Sequence, residues 1–389
     1  MRVLVDYRPA LRERTGVGEY LHQLVRALAR RAAASRQDGG RGLELVLFSS
    51  SWEDRFEPLI AALDDDSRAK VTFVDRKVPV RVLNYAWHRL EWPPVELMAG
   101  EVDVVHSPSP LLIPSKRAAR VVTVNDLDFL THPERATAEI RRDYPSLATS
   151  HVRRAHAIIT ISEYTARQAE ALIGAPRARM TVCYPGAPPW ARPRPEPCRR
   201  LGPIVFVGSI EPRKNLPTLL ASYRLLLGRW PEVPRLILAG KIGEASAEVV
   251  AEARSPACMG RVSLPGYVPD DDLRELYEMA SLLVLPSHDE GFGMTAVEAM
   301  AIGVPVVAAA RGAMPEVVGE AGILVGSDDP GVWAEAIERV LKDRRLYSQL
   351  VSSGFDRAAE FSWDRTAEQV EGVYRSAMER RNESCEVRP

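Results

Sequence analysis

The sequence predicts an α/β protein built from two doubly wound domains that face a central cleft, and three observations carry that reading. Short apolar runs alternate with longer stretches of helical periodicity, the pattern of parallel strands joined by crossover helices. That rhythm stops once, at a proline-rich stretch near the middle, and then restarts. At 389 residues, 46% hydrophobic and 26% charged, the chain is too long for one ordinary core and comfortable for two.

The first domain spans 1–190, with strands expected at Val3–Asp6, Leu43–Phe48, Val71–Val74, Val102–His106, Val121–Val124 and Ala157–Ile161. A helix from about Gly18 to Arg31 follows the first strand. Residues Trp190 to Pro203 then read WARPRPEPCRRLGP. The missing N–H groups and fixed φ of the prolines forbid regular structure there, which makes 191–203 the linker. The second domain, 204–362, repeats the rhythm at Ile204–Gly208, Leu236–Ala239, Val262–Leu264, Leu282–Leu285, Val306–Ala308 and Ile323–Val325. A last helical pattern, from Trp363 to about Met378 within 363–389, lies beyond the second sheet. In open α/β folds ligands bind outside the carboxyl ends of the strands, which here edge the cleft.

Composition narrows the function. No apolar run approaches the ~18 residues of a membrane span, and the chain opens on a strand-like run rather than a signal-peptide core. The reading is a cytoplasmic protein, with peripheral contact at the inner face of the membrane as an option. Cys183, Cys198, Cys258 and Cys385 lack metal spacing, which suits a reducing compartment. Net charge is −1 overall, but +6 over residues 1–195 and −7 over the rest. A basic first half suits an anionic acceptor or membrane surface, and equally a set of solvated Arg-rich helix faces. No strand is followed by a Gly-x-Gly-x-x-Gly turn, which disfavours a dinucleotide-dependent dehydrogenase. Neither a helix-turn-helix nor an aromatic-basic stripe is present, so nucleic acid is not an expected partner.

The most informative segment is Ser287-His288-Asp289-Glu290-Gly291-Phe292-Gly293-Met294-Thr295-Ala296-Val297-Glu298, between the apolar strand LLVLPS and a helix ending near Gly303. Its glycines let backbone approach a ligand, and the helix N-terminus suits a phosphate. Glu290 and Glu298 are separated by about 12 Å if helical. That is too far for a glycosidase pair, which needs ~5–9.5 Å. It suits two carboxylates holding different hydroxyls of an extended ligand; the alternative is two solvated charges. Gly208-Ser209-Ile210-Glu211-Pro212-Arg213-Lys214-Asn215 ends the first strand of the second domain. Its Arg fork and Lys point charge suit a diphosphate, including one that gains charge as it departs.

These segments resemble glycosyltransferase family 4 over nearly the whole chain. Its Glu-x7-Glu motif matches Glu290 and Glu298, and its Pro-Arg-Lys-Asn segment matches Pro212 to Asn215. GVGEY with Gly16 and Gly18, VVTVNDLDFLTHPE, ITISEYTARQ, LPGYVPDDDL and MPEVVGEAGILV follow in the family's order. The resemblance implies the GT-B fold of two Rossmann-like domains and transfer with retention. It implies that Glu290 holds hydroxyls of the sugar, Glu298 the ribose, and Arg213 and Lys214 the diphosphate. Phe292, Gly293, Met294 and Thr295 would line the sugar-phosphate, Gly208 would accompany the basic segment, and Gly266, Tyr267 and Val268 would lie against the base. Tyr267 equally fits core packing. The final helix would cross back to the first domain.

One departure stands out. Many members carry His where this chain has Asn125, followed by Asp126, and Asn neither titrates nor carries charge. His106 in DVVHSPSP is a candidate partial substitute on the acceptor side, against the alternative of a structural histidine. The stretch Lys77 to Met98, with Tyr85, Trp87 and Trp92, reads as an acceptor or membrane contact, with Trp87 the acceptor-side candidate, or as a core-packed helix. Asp64–Asp66 and Asp270–Asp272 carry Asp-x-Asp spacing, but the second reads as N-capping and dipole pairing. No catalytic metal and no cofactor are expected.

The expected activity is metal-independent transfer with retention, in which closure about the linker brings together donor and acceptor. The donor reading is GDP-mannose, with UDP-glucose or UDP-N-acetylglucosamine as alternatives. The expected acceptor is a sugar, a lipid-linked sugar or a small molecule, in polysaccharide or glycoconjugate assembly. A nucleotide-sugar hydrolase or epimerase, or a weakly catalytic binding subunit, remains open.

Overall fold

A computed structural model of the chain describes residues 1–11, 16–34, 42–50, 56–135, 138–194 and 202–386. It divides into two compact units, Met1–Pro185 with Ser362–Pro389, and Gly186–Phe361.

Among the described residues the N-terminal unit holds seven parallel strands: β1 (Arg2–Asp6), β2 (Glu44–Ser49), β3 (Val71–Asp75), β4 (Val104–Ser107), β5 (Ala119–Val124), β6 (Ala157–Thr160) and β7 (Met180–Val182). Their order is β3-β2-β1-β4-β5-β6-β7. The inner strands β2, β1, β4, β5 and β6 are buried along nearly their whole length, which is why they read as runs rich in Val, Leu and Ile, whereas the edge strands β3 and β7 are partly exposed. One core cluster joins Leu4, Val46, Phe48 and Val105 to Leu83 and Trp87. Leu83 lies on helix α2 (Val80–Tyr85), and Trp87 on the π-helical turn Ala86–Leu90 that continues it. A second cluster sets Val122 and Ile158 against Ala169 and Ile173 of α3 (Glu163–Ile173). Helix α1 (Val17–Ala34) follows β1. The three-residue edge strand β7 has no counterpart in the sequence reading.

Among the described residues the C-terminal unit holds six parallel strands: β8 (Ile204–Val207), β9 (Leu236–Ala239), β10 (Val262–Gly266), β11 (Leu282–Leu285), β12 (Val306–Ala309) and β13 (Ile323–Val325), in the order β10-β9-β8-β11-β12-β13. Its helices include α4 (Leu216–Arg229), α5 (Asp270–Met279) and α6 (Met294–Ile302). Each sheet reverses its strand order beside its first strand, between β1 and β4 and between β8 and β11. Those switch points open a crevice at the carboxyl edge of each sheet.

The last helix, α7, runs from Trp363 past Met378 to Glu386. Its buried residues Trp363, Ala367, Val370, Tyr374 and Ala377 recur every three or four positions and so make one face. That face packs on α1, β4, β5 and β6, and Arg30 and Arg31 of α1 pair with Asp364 and Glu371 beside it. No helix among the described residues is long and apolar enough to cross a membrane.

The stretch around Trp190 differs from a plain linker. The unit boundary falls after Pro185 rather than Trp190, and 186–194 dock on the C-terminal unit. The Ala187 N–H donates to the Phe361 carbonyl at 3.4 Å, and the Trp190 ring stacks 6.1 Å from that of Tyr277. The Arg194 guanidinium donates to the carbonyls of Glu278, Ala280 and Gly303. Prolines removed regular structure here without preventing side chains from packing. Residues 195–201 of the expected linker lie outside the described residues.

Candidate active site

The C-terminal switch point brings two distant segments into contact. After β8 the chain makes a 3-10 turn, Pro212–Lys214, and passes through Asn215 in the left-handed region (φ 51°) into α4. After β11 it passes Ser287 and Glu290 before entering α6 at Gly293. The Lys214 ammonium lies 2.7 Å from Glu290 Oε1, and the Ser287 hydroxyl donates to the same oxygen at 2.7 Å. Both members of the pair are buried, at 9% and 8% exposure. Burial pushes the Glu290 pKa up, but the charges of Lys214 and Arg213 and the hydrogen bonds from Lys214 and Ser287 outweigh it. The carboxyl is held below its ordinary range. Glu290 is therefore an ionised carboxylate with a cation locked on it.

Arg213 sits beside this pair with its guanidinium on Glu211, at 3.2–3.3 Å. Its carbonyl accepts the His288 N–H at 2.8 Å, which ties the two loops together. Helix α6 starts at Gly293, whose φ of 95° only glycine adopts readily, with no side chain capping the helix. Its first N–H groups are thus left without a capping side chain. Glu298 lies one turn and more inside α6, buried at 6%, and accepts the Tyr277 hydroxyl at 3.0 Å. It is not a surface helix residue. Met294 and Thr295 begin the helix at half-burial. Phe292 is buried edge-on against Phe361 at 5.4 Å. Gly208 follows β8, with Lys214 Cε 3.8 Å from where a Cβ would stand. Gly266 ends β10 at φ 82°, and Tyr267 after it is 39% exposed, which excludes core packing. Val268 is half-buried.

Two contributors escaped the sequence reading. Gly312, at φ 60°, lies so close under the site loop that a Cβ there would stand 2.6 Å from the Glu290 nitrogen and 2.7 Å from its carbonyl oxygen. The next residue, Ala313, donates its N–H to that carbonyl at 2.9 Å. Tyr277 is the second: its pKa is pushed well up by burial and by the Glu298 charge, so its hydroxyl stays a donor. A glycine after Arg311 and a tyrosine in an amphipathic helix carry no signal of their own.

The remaining candidates belong to the N-terminal unit. Asn125 and Asp126 follow β5. The Asn125 amide nitrogen donates to the Pro108 carbonyl at 2.9 Å, bridging the loops after β4 and β5, while its amide oxygen is buried without a partner. Gly16 takes φ 51° at the entry to α1. Gly18 is a packing glycine, since a Cβ would stand 2.7 Å from the Pro9 carbonyl oxygen. Residues 12–15 of that loop lie outside the described residues.

Two acceptor-side candidates are corrected. His106 is fully buried, with one ring nitrogen on the Tyr374 hydroxyl and the other on Thr123 Oγ1, both at 2.8 Å. Burial pushes its pKa down to about 3, so it is a neutral structural histidine that pins α7 to the sheet. Trp87 is also fully buried, 5.1 Å from the Phe48 ring and capped by the Arg8 guanidinium at 5.0 Å. In the same stretch it is Tyr85 and Trp92 that face outward, at 63% and 62% exposure. The aspartate runs act at helix ends. The Asp64 carboxylate caps a short helix by accepting the Ser67 N–H at 2.8 Å. Asp270–Asp272 fill the first turn of α5, but without a side-chain cap.

Comparison with known proteins shows the family and the fold. The model for glycosyltransferase family 4 matches residues 14–190, and that for group 1 glycosyl transferases matches 202–357. The chain belongs to this family. It is 27% identical to O-antigen chain mannosyltransferase B of Escherichia coli over 96% of the chain and 100% of that protein. It is 33% identical to D-inositol 3-phosphate glycosyltransferase of Thermobispora bispora over 55% of the chain and 54% of that protein. The chain thus spans about half the length of such relatives. Among solved structures, sucrose-phosphate synthase from Thermosynechococcus elongatus superposes with a TM-score of 0.73 at 21% identity, covering 96% of this chain and 98% of that one. Anabaena HepE in complex with UDP-glucose gives 0.69 at 18%, covering 97% and 100%. The fold is GT-B.

Proposed function

We propose that this protein is a retaining hexosyltransferase whose C-terminal unit holds a nucleotide-sugar donor without a metal ion. The observation that carries the reading is the buried Lys214–Glu290 pair at the switch point, with Arg213 and the α6 N-terminus beside it. A departing diphosphate gains charge as the glycosidic bond breaks. Lys214, Arg213 and the first N–H groups of α6 supply fixed positive charge for it. Glu290, kept ionised, accepts from sugar hydroxyls, Glu298 from ribose hydroxyls, and Tyr267 at its exposed edge lies against the base. Glu290 is engaged by Lys214 and Ser287, which suits holding hydroxyls rather than attacking carbon. The acceptor oxygen therefore attacks from the leaving group's own face; the anomeric C–O bond to phosphate breaks, and the acceptor proton passes to the phosphate oxygen.

The donor we favour is GDP-mannose, supported by the likeness to the Escherichia coli mannosyltransferase along the full chain. The acceptor is a glycan hydroxyl, free or lipid-linked, bound by the N-terminal unit. There Asn125 contributes hydrogen bonds only, since it has no charge to offer. The relatives named for inositol phosphate favour a small polar acceptor as a second reading. Calorimetric titration with GDP, UDP, ADP and TDP, with and without EDTA, tests the donor site. Micromolar binding of one nucleotide, unaffected by EDTA and lost in Lys214→Ala, is the expected result. Binding of none would overturn the reading. Donor turnover without any acceptor would replace the transferase with a hydrolase or epimerase, and binding without turnover over a broad acceptor panel would leave a binding subunit.

A further inference from the structure

Exposed large apolar side chains are unevenly spread over this molecule. Of the thirteen among the described residues, six fall between positions 80 and 97: Val80, Val82, Tyr85, Leu90, Trp92 and Leu97, from 43% to 70% exposed. They lie on α2, on the π-helical turn that continues it, and on the segment after. The inward residues of the same run, Leu83, Trp87 and Val95, are rooted in the core. The outward set is therefore held in place rather than loosely displayed. Apolar exposure concentrated on one segment marks a candidate interaction surface, and π-turns recur where a helix face serves a function.

Charge says what covers it. Residues 76–90 contain Arg76, Lys77, Arg81 and Arg89 and no aspartate or glutamate. All four basic residues are exposed. The first acid after them, Glu91, is paired with Arg154 at 2.6 Å. Protein interfaces gather aromatic anchors in a centre depleted of charge, with lysine disfavoured. Here positive charge is interleaved with the apolar residues along the run. A tryptophan and a tyrosine among valines and leucines, with arginines and a lysine beside them, match the boundary between lipid headgroups and acyl chains.

We propose that the 76–97 face docks on an anionic lipid bilayer. Tyr85, Leu90 and Trp92 enter the headgroup region, and Lys77, Arg81 and Arg89 meet anionic headgroups. The proposal does not depend on the donor site, which lies in the other unit.

The test is co-sedimentation of the full chain with phosphatidylcholine vesicles and with vesicles containing 30% phosphatidylglycerol, over a salt series. Wild type should bind the anionic vesicles, release with rising salt, and leave neutral vesicles nearly unbound. Each basic residue near such a surface is worth about a five-fold change in partitioning. Lys77→Gln/Arg81→Gln should therefore lower binding about 25-fold. Tyr85→Ser/Trp92→Ser should weaken binding to the anionic vesicles at every salt concentration in the series. Unchanged melting and unchanged nucleotide binding by these variants would show that the fold is intact. Equal binding of variant and wild type would overturn the proposal. So would a wild-type dimer in light scattering that the same substitutions turn into monomer, because a second copy would then be the occupant.

Discussion

Replacing Lys214 by Met and Glu290 by Gln, singly and together, separates what the pair does for the fold from what it does for chemistry. Both side chains are 11% exposed and their charged atoms are 2.7 Å apart. Removing one partner of a buried pair costs about 3–5 kcal/mol because the other charge is left desolvated. We take ~3 kcal/mol, since the site reaches the sheet edge. For a unit the size of Gly186–Phe361, each kcal/mol shifts Tm by about 2–4 °C. Lys214→Met should thus lower the melting temperature of that unit by roughly 6–12 °C. The double variant removes both charges and should regain most of the loss. Turnover should behave differently: each single variant and the double should lose at least ~100-fold, because fixed charge on the leaving group is gone. Scanning calorimetry and donor consumption read the two quantities. Additive stability losses, or a double variant within a few-fold of wild-type turnover, would refute the reasoning. The sign with pH follows from the lowered Glu290 pKa. The stability it contributes is present above the unfolded carboxyl pKa and is lost as pH falls towards the folded one. Glu290→Gln should flatten that part of the acid limb.

Gly312→Ala should lose activity although no charged group changes. The new Cβ meets the Glu290 backbone at 2.6–2.7 Å and the residue needs φ 60°, so a drop of ~10–100-fold with a lowered Tm is expected, and kinetics at wild-type level would show that the loop tolerates displacement. Tyr277→Phe removes the hydrogen bond to Glu298. Donor KM should rise several-fold with kcat little changed, and an unchanged KM would remove Glu298 from ribose binding. In the N-terminal unit, burial pushes His106 down to about 3 and is the main cause holding His88, His151 and His156 at about 4. The unfolded chain protonates first, so stability should fall as pH drops from about 6.5 to about 4, and for His106 on to about 3. NMR titration should find these rings neutral at pH 6, and a ring titrating near 6.5 would contradict its burial.

Strand positions were legible because parallel strands covered on both faces must be apolar throughout, which leaves a run such as LLVL unambiguous. Met180-Thr181-Val182 escaped because three residues on a sheet edge make no run. Each half of the site was legible as a segment at a strand's carboxyl end. The bond between the halves was not, because Lys214 and Glu290 meet only once β8 and β11 are neighbours. His106 and Trp87 failed for a related reason: residue type names a chemistry, but burial decides whether it reaches a ligand. The prolines around Trp190 announced an end to regular structure, and only packing showed that Trp190 and Arg194 are anchored.

The Lys214–Glu290 pair also bears on selectivity. In the structure each group satisfies the other, and neither is left buried and uncompensated. On the proposed reading, a donor that parts the pair must offer replacements for both at once: phosphate oxygens for Lys214 and hydroxyl donors for Glu290. A free nucleoside diphosphate offers only the first, so it must bind either with the pair intact or at the expense of Glu290. Sugar hydroxyls placed within reach of Glu290 remove that penalty. Discrimination between hexoses then follows from which hydroxyls meet an already ionised carboxylate, because a buried acceptor left without a donor costs about 1–3 kcal/mol, or ten-fold to over a hundred-fold in affinity. On the proposed reading the pair thus sets a threshold that a correctly configured sugar crosses more readily than a nucleotide alone.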